Sequence, residues 1–105
     1  MVRAGTSAEL ERAGRLVIKL PASDDTVVVV STRRGLYAFD SVCPHLGGPL
    51  DGGAVARATV TCPWHGRRYS LQSGRCVPAR GAGPRLRRWR VWMEDGQVWI
   101  DEEVG

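Results

Sequence analysis

An all-β fold, either a small sandwich or a barrel, is predicted by three features of the chain. Short apolar or β-branched runs recur at close spacing, turn residues separate them, and 13 glycines and 6 prolines leave room for many turns. At 105 residues there is room for a single core, so one domain over 1–105 is expected.

The expected strands are 15–20 (RLVIKL), 26–32 (TVVVVST), 36–39 (LYAF), 59–61 (TVT), 68–71 (RYSL), 86–93 (LRRWRVWM) and 97–101 (QVWID). Asp95-Gly96 between the last two predicts a two-residue hairpin, because both central positions of that turn favour φ > 0. Ser73-Gly74 marks another tight turn. Within 86–93, Trp89, Val91 and Met93 share one face, while Arg88, Arg90 and Trp92 take the other. The one helical hint, SAELERAG at 7–14, is short enough to predict a single turn at most.

Charge narrows the function classes. The net charge is +4, and Lys19 is the only basic residue that is not arginine. The arginines spread from Arg3 to Arg90, densest at Arg67-Arg68 and 85–90, which reads first as a solvated surface. Docking onto an acidic protein partner is the functional counterpart, because Arg67 and Arg68 adjoin the unusual motif described next. Trp89, Trp92 and Trp99 read as packing residues. No aromatic–basic interleaving recurs on one face, so no nucleic-acid partner is expected. The longest aliphatic run, Val27–Val30, is far too short to span a bilayer, and MVRAGTSAELERAG lacks the apolar core of a secretory signal. The expectation is a soluble, cytoplasmic chain with no membrane partner.

Three cysteines in such a chain favour metal or redox chemistry over a disulfide scaffold. CPHLGGPLD, from Cys43, and CPWHGRRYS, from Cys62, share a grammar, and 16 residues separate His45 from Cys62. Each loop supplies one cysteine and one histidine, and the chain has no other histidine. A nucleophilic cysteine needs a single base, so it does not account for two Cys/His pairs. Metal ligation by Cys43, His45, Cys62 and His65 accounts for both. Structural zinc sites usually take like ligands in pairs, C-x₂₋₄-C and H-x₃₋₅-H, whereas each pair here is mixed. A mixed pattern suits a two-iron cluster. Pro44 and Pro63 restrict the backbone beside each cysteine. Gly47, Gly48, Gly52, Gly53 and Gly66 permit tight turns whose N–H groups can face sulfur.

CPHLG followed by CPWHG resembles the Rieske [2Fe–2S] motif, in which two histidines replace two cysteines on one iron. The resemblance runs from about residue 8 to 101 and takes in GLYAFDSVCPH and EDGQVWID. It implies a small antiparallel β-sandwich with a two-loop cluster-binding subdomain at one tip. The loops would be about 43–48 and 62–67, and the proline-bearing stretch about 80–84 would cover the cluster. It further implies that Cys43 and Cys62 ligate the buried iron, and His45 and His65 the iron nearer solvent.

The respiratory and photosynthetic branch of this family carries an extra disulfide beside the cluster. The matching positions here are Gly48 and Trp64, which cannot form one. Cys76 then lacks an intrachain partner and reads as a half-buried thiol in the strand after Gly74. A serine that bonds a cluster sulfide in that branch is Arg67 here, while Tyr69 falls where that branch places a tyrosine on a ligand sulfur. Fewer hydrogen bonds to sulfur imply a potential in the lower part of the Rieske range, and the charge of Arg67 acts the other way. The resemblance implies a soluble Rieske-type ferredoxin, monomeric and not itself an enzyme. It would carry single electrons from a flavin-containing reductase to a terminal oxygenase of the ring-hydroxylating type. Two other readings stand beside this one: the small subunit of an NAD(P)H-dependent nitrite reductase, and a zinc-binding interaction module.

Overall fold

Four consecutive valines organise the architecture. In a strand, alternate side chains point to opposite faces, so Val27 and Val29 leave one face and Val28 and Val30 the other. All four are buried, and the two pairs belong to two different apolar clusters. The strand that carries them therefore needs cover on both sides. The computed structural model, which describes residues 1–45, 47–64, 66–77 and 83–104, provides it.

The first sheet has six strands in the order β1-β10-β9-β4-β3-β2: β1 Val2–Thr6, β2 Arg15–Lys19, β3 Thr26–Thr32, β4 Gly35–Asp40, β9 Arg88–Glu94 and β10 Gln97–Val104. Each neighbouring pair is antiparallel. The sheet curls until its two edges approach, and a Cβ placed on Gly5 of β1 would lie 3.1 Å from Leu16 Cδ1 of β2. Inside the curl lie Val27, Val29, Ala38, Trp89, Val98 and Ile100, with Leu10 of helix α1 (Ser7–Ala13).

The second sheet, inserted between β4 and β9, has the order β5-β6-β7-β8: β5 Ala54–Ala56, β6 Thr59–Thr61, β7 Arg68–Ser70 and β8 Cys76–Val77. Its Val60 and Tyr69 pack against Val28, Val30 and Phe39 from the outer face of the first sheet.

All seven expected strands are present, and the last runs on to Val104. The Asp95-Gly96 hairpin forms with φ of 53° and 73°. Four elements differ from the sequence expectation, one of them an unanticipated 3₁₀ turn at Leu50–Gly52 just after loop one. Helix α1 has seven residues rather than a single turn. Thr6 and Glu9 form a capping box at its start (3.0 and 3.1 Å), Gly14 closes it in the left-handed region, and burial of Leu10 supplies the tertiary support. β1 was not anticipated because Gly5 interrupts it at a bulge. β5 was missed because its sequence, Ala-Val-Ala, has little strand preference. Among the described residues no helix is long and apolar enough to cross a membrane.

Candidate metal centre

Loop one leaves the first sheet at the end of β4. Ser41 N–H donates to the Thr26 carbonyl at 3.0 Å, and Val42 N–H donates to the Asp40 carboxylate at 3.1 Å. Burial, the dominant influence on Asp40, pushes its pKa up, against the pull of that hydrogen bond. Cys43 N–H then donates to the Gly48 carbonyl (2.8 Å), and Gly47 N–H returns to the Cys43 carbonyl (2.9 Å). Loop two leaves the second sheet at the end of β6 and is closed the same way. Cys62 N–H donates to the Arg67 carbonyl (2.8 Å), and Gly66 N–H to the Cys62 carbonyl (2.9 Å). In both loops the glycine four residues after the cysteine is left-handed, with φ of 76° at Gly47 and 67° at Gly66. The two loops therefore share one backbone frame. In that frame His45 corresponds to Trp64, so the histidines occupy different steps: second after the cysteine in loop one, third in loop two.

The frame sinks both sulfurs. Cys43 is 2% exposed and Cys62 fully buried, in one apolar cluster with Phe39, Leu50, Val60 and Tyr69. Gly48 lets the loops meet: a Cβ there would lie 2.6 Å from Cys62 Sγ and 3.3 Å from the Trp64 ring. No real Cβ tolerates the first distance, so the glycine is required by close approach, not by its dihedrals. The Trp64 ring covers this junction while staying 60% exposed.

Tyr69, fully buried on β7, brings its hydroxyl to 3.6 Å from Cys43 Sγ. Burial above all, and then the Cys43 contact, push the Tyr69 pKa well above the ordinary phenol range, while the positive charge of Arg67 acts the other way. The phenol thus keeps its proton at any working pH. A deprotonated Cys43 could only accept it.

Exposure in the two loops is mixed: His45 is exposed and Arg67 half-buried. Of the expected covering stretch, Gly83 and Pro84 are exposed. Val42, directly before Cys43, is an exposed aliphatic that the sequence reading did not single out. A β-branched residue abutting a cysteine of the paired motif was the available signal. Cys76 lies partly buried in β8 as a free thiol against the same apolar cluster, as expected. His65, Leu46 and residues 80–82 of the expected covering stretch lie outside the described residues. Among the described residues no group of three or more His, Cys, Asp or Glu converges as a metal cage.

Residues 1–92 match the Rieske [2Fe–2S] domain. The chain belongs to the Rieske family. Its cofactor is accordingly a Rieske-type [2Fe–2S] cluster. The donor chemistry fits one, because equivalent positions of two adjoining loops supply two buried soft sulfurs, and loop one adds an exposed imidazole, His45.

This Rieske chain is 39% identical over 70 residues to the oxygenase component of 3-ketosteroid-9-alpha-monooxygenase from Rhodococcus rhodochrous. That match takes in 65% of the chain but 18% of the relative, so the chain spans under a fifth of that protein. It is 30% identical over 87 residues to the ferredoxin component of the p-cumate 2,3-dioxygenase system of Pseudomonas putida, covering 82% of the chain and 72% of that relative. Its fold superposes on the ferredoxin of carbazole 1,9a-dioxygenase from Nocardioides aromaticivorans IC177 with a TM-score of 0.79, at 23% identity and 94% coverage of each chain.

Proposed function

We propose that Cys43 and Cys62 hold the buried iron of the cluster and that His45 and His65 hold the iron nearer solvent. We propose further that the chain is a soluble, cytoplasmic, monomeric ferredoxin. It would pass single electrons from a flavin-containing reductase to a terminal oxygenase of the ring-hydroxylating type. The observation that carries this reading is the shared loop frame, which places a buried cysteine at the same position of two adjoining loops. The coverage of a dioxygenase-system ferredoxin component over most of its length supports the assignment.

When bound, a Rieske cluster takes up and returns one electron. The residues around it do the rest. The cysteines supply the two negative charges that make the oxidised site neutral. With Cys43 as a thiolate, the Tyr69 hydroxyl would donate to its Sγ, and that bond would strengthen as electron density on sulfur rises, which favours the reduced state. Four protein ligands leave no position for a substrate, so the chain carries electrons and catalyses no reaction. Trp64, Val42 and Pro84 present an apolar docking rim, with Arg67 as its charge for an acidic partner.

Iron and acid-labile sulfide analysis with a visible spectrum tests the site. Two of each per chain are expected, and a colourless protein holding one zinc would refute the reading. His65→Ala should abolish the Rieske spectrum, and an unchanged spectrum would remove His65 from the ligand set. Electron transfer reconstituted from NADH through a flavin reductase to an oxygenase tests the role. Arg67→Glu should slow transfer and flatten its dependence on salt.

A further inference from the structure

The ends of β4 and β6 that point away from the cluster loops border a second feature. A cleft of about 740 Å³ opens between the β3–β4 turn of the first sheet and the β5–β6 turn of the second. Four arginines line it, Arg15, Arg33, Arg34 and Arg57, and no carboxylate does among the described residues. Val30 and Val55 contribute an apolar wall. The volume lies within the range of small-molecule sites, which run from about 300 to 1,000 Å³.

Among the described residues only two arginines pair with carboxylates, so what sets the cleft's four apart is that they line one cavity. Arg87 is paired with Asp25 and Glu103, and Arg90 faces Glu102. Among the described residues, Arg15, Arg33, Arg34 and Arg57 have no carboxylate partner. Arg15 is fixed in place. Its NH1 donates to the Asp51 and Gly53 carbonyls at 2.8 and 2.9 Å, which ties β2 to the entry of β5. Its Nε and NH2 take no part in those bonds. Arg57 stands on a two-residue turn in which it and Ala58 are both left-handed, with φ of 52° and 57°. Neither residue type favours that region. The turn nonetheless holds Arg57 at the cleft, where like charges would repel in the absence of an anion.

We propose that this cleft binds an organic phosphate, with the arginines on its phosphoryl oxygens and its apolar body against Val30 and Val55. Guanidinium groups recognise phosphate through paired N–H donors, and convergent unpaired guanidinia with an apolar wall are the complement of a nucleotide-like anion. An acidic peptide offers the same charge, but a cleft of about 740 Å³ matches a small ligand in size.

Calorimetric titration of the cluster-loaded protein at low salt, with ADP, pyrophosphate and adenosine as probes, tests the proposal. ADP should bind, adenosine should not, and pyrophosphate should bind more weakly than ADP because it lacks the apolar body. Arg57→Asn should weaken ADP binding at least tenfold without lowering the melting temperature, since asparagine tolerates the left-handed turn. Arg34→Gln, outside that turn, should weaken it as well. Absence of ADP binding at millimolar concentration would overturn the proposal. So would pyrophosphate binding as tight as ADP, affinity unchanged in both variants, or binding of a polyglutamate peptide in place of ADP.

Discussion

Two single atoms govern the chemistry at the buried sulfurs. The Tyr69 hydroxyl lies 3.6 Å from Cys43 Sγ, and burial keeps the phenol protonated, able to donate to a Cys43 thiolate. Tyr69→Phe removes that bond and nothing larger. One hydrogen bond of about 0.5–1.5 kcal/mol corresponds to roughly 20–60 mV for a one-electron couple, so the potential should fall by that amount in direct voltammetry. A potential unchanged by the substitution would show that the hydroxyl does not act on the ligand sulfur. The second atom is the missing Cβ of Gly48. Gly48→Ala would drive a methyl group to within 2.6 Å of Cys62 Sγ, so the loops must separate. The expected result is a loss of about 1–3 kcal/mol in stability and a lower iron content after purification. Retention of full iron and unaltered stability would mean that the loops can part without penalty. Position 48 was legible in the sequence as a site without a cysteine, but its contact with the other loop was not, because 13 residues of chain separate Gly48 from Cys62.

Two hairpins of similar geometry differ in how openly their sequences declare them. Asp95-Gly96 is a common occupant of a turn with both central residues left-handed, and the structure has that turn. Arg57-Ala58 makes the same kind of turn between β5 and β6 with residues that disfavour it. No local signal therefore announced β5. The turn survives because the second sheet holds it: Ala58 is buried and its carbonyl accepts the Leu71 N–H at 2.8 Å. Arg57→Asn should relieve the local strain and stabilise the protein by about 0.5 kcal/mol, read as a raised denaturation midpoint. A lowered midpoint would show that the arginine side chain supports the fold. Helix α1 shows the reverse case. Its Thr6/Glu9 capping box and its Gly14 stop were readable, and only the burial of Leu10 beneath the curled sheet explains why so short a segment completes seven residues.

One side chain ties the chain's distant parts together near the root of loop one. Arg87 donates to Asp25 (2.9 and 3.0 Å) and to Glu103 (3.1 and 2.7 Å), and its NH1 lies 3.8 Å from Asp40. Its guanidinium also sits 5.0 Å from the centre of the Trp89 ring. These contacts join β10, the turn before β3 and the end of β4. Arg87→Met should cost roughly 1–2 kcal/mol, the sum of a partly screened ion network and a cation–π contact. Its pH dependence has a definite sign. The hydrogen bonds from Arg87 lower the pKa of Asp25 and Glu103, so their contribution is present above the ordinary carboxylate range and lost as pH falls through the lowered values. Burial raises Asp40, so its ionisation opposes folding as pH rises through the carboxylate range, and Arg87 offsets part of that. The stability gap between the wild type and Arg87→Met should therefore be widest near neutral pH and close on acidification. Urea denaturation across that range measures it, and a gap independent of pH would assign the effect to packing alone.

Seven strand positions, the Asp-Gly hairpin and the two Cys/His loops follow from local rules: alternation, turn chemistry and motif spacing act over a few residues and leave their mark in the sequence. The valine run 27–30 likewise announced a strand, though not that two separate cores would claim its two faces. The approach of Gly48 to Cys62, the Tyr69–Cys43 contact and the gathering of Arg15, Arg33, Arg34 and Arg57 around one cleft belong to another class. Each joins residues far apart in the chain, and their placement follows from how a curled sheet and an inserted sheet pack on each other. Burial between the sheets sets these distances, and no periodicity along the chain records it.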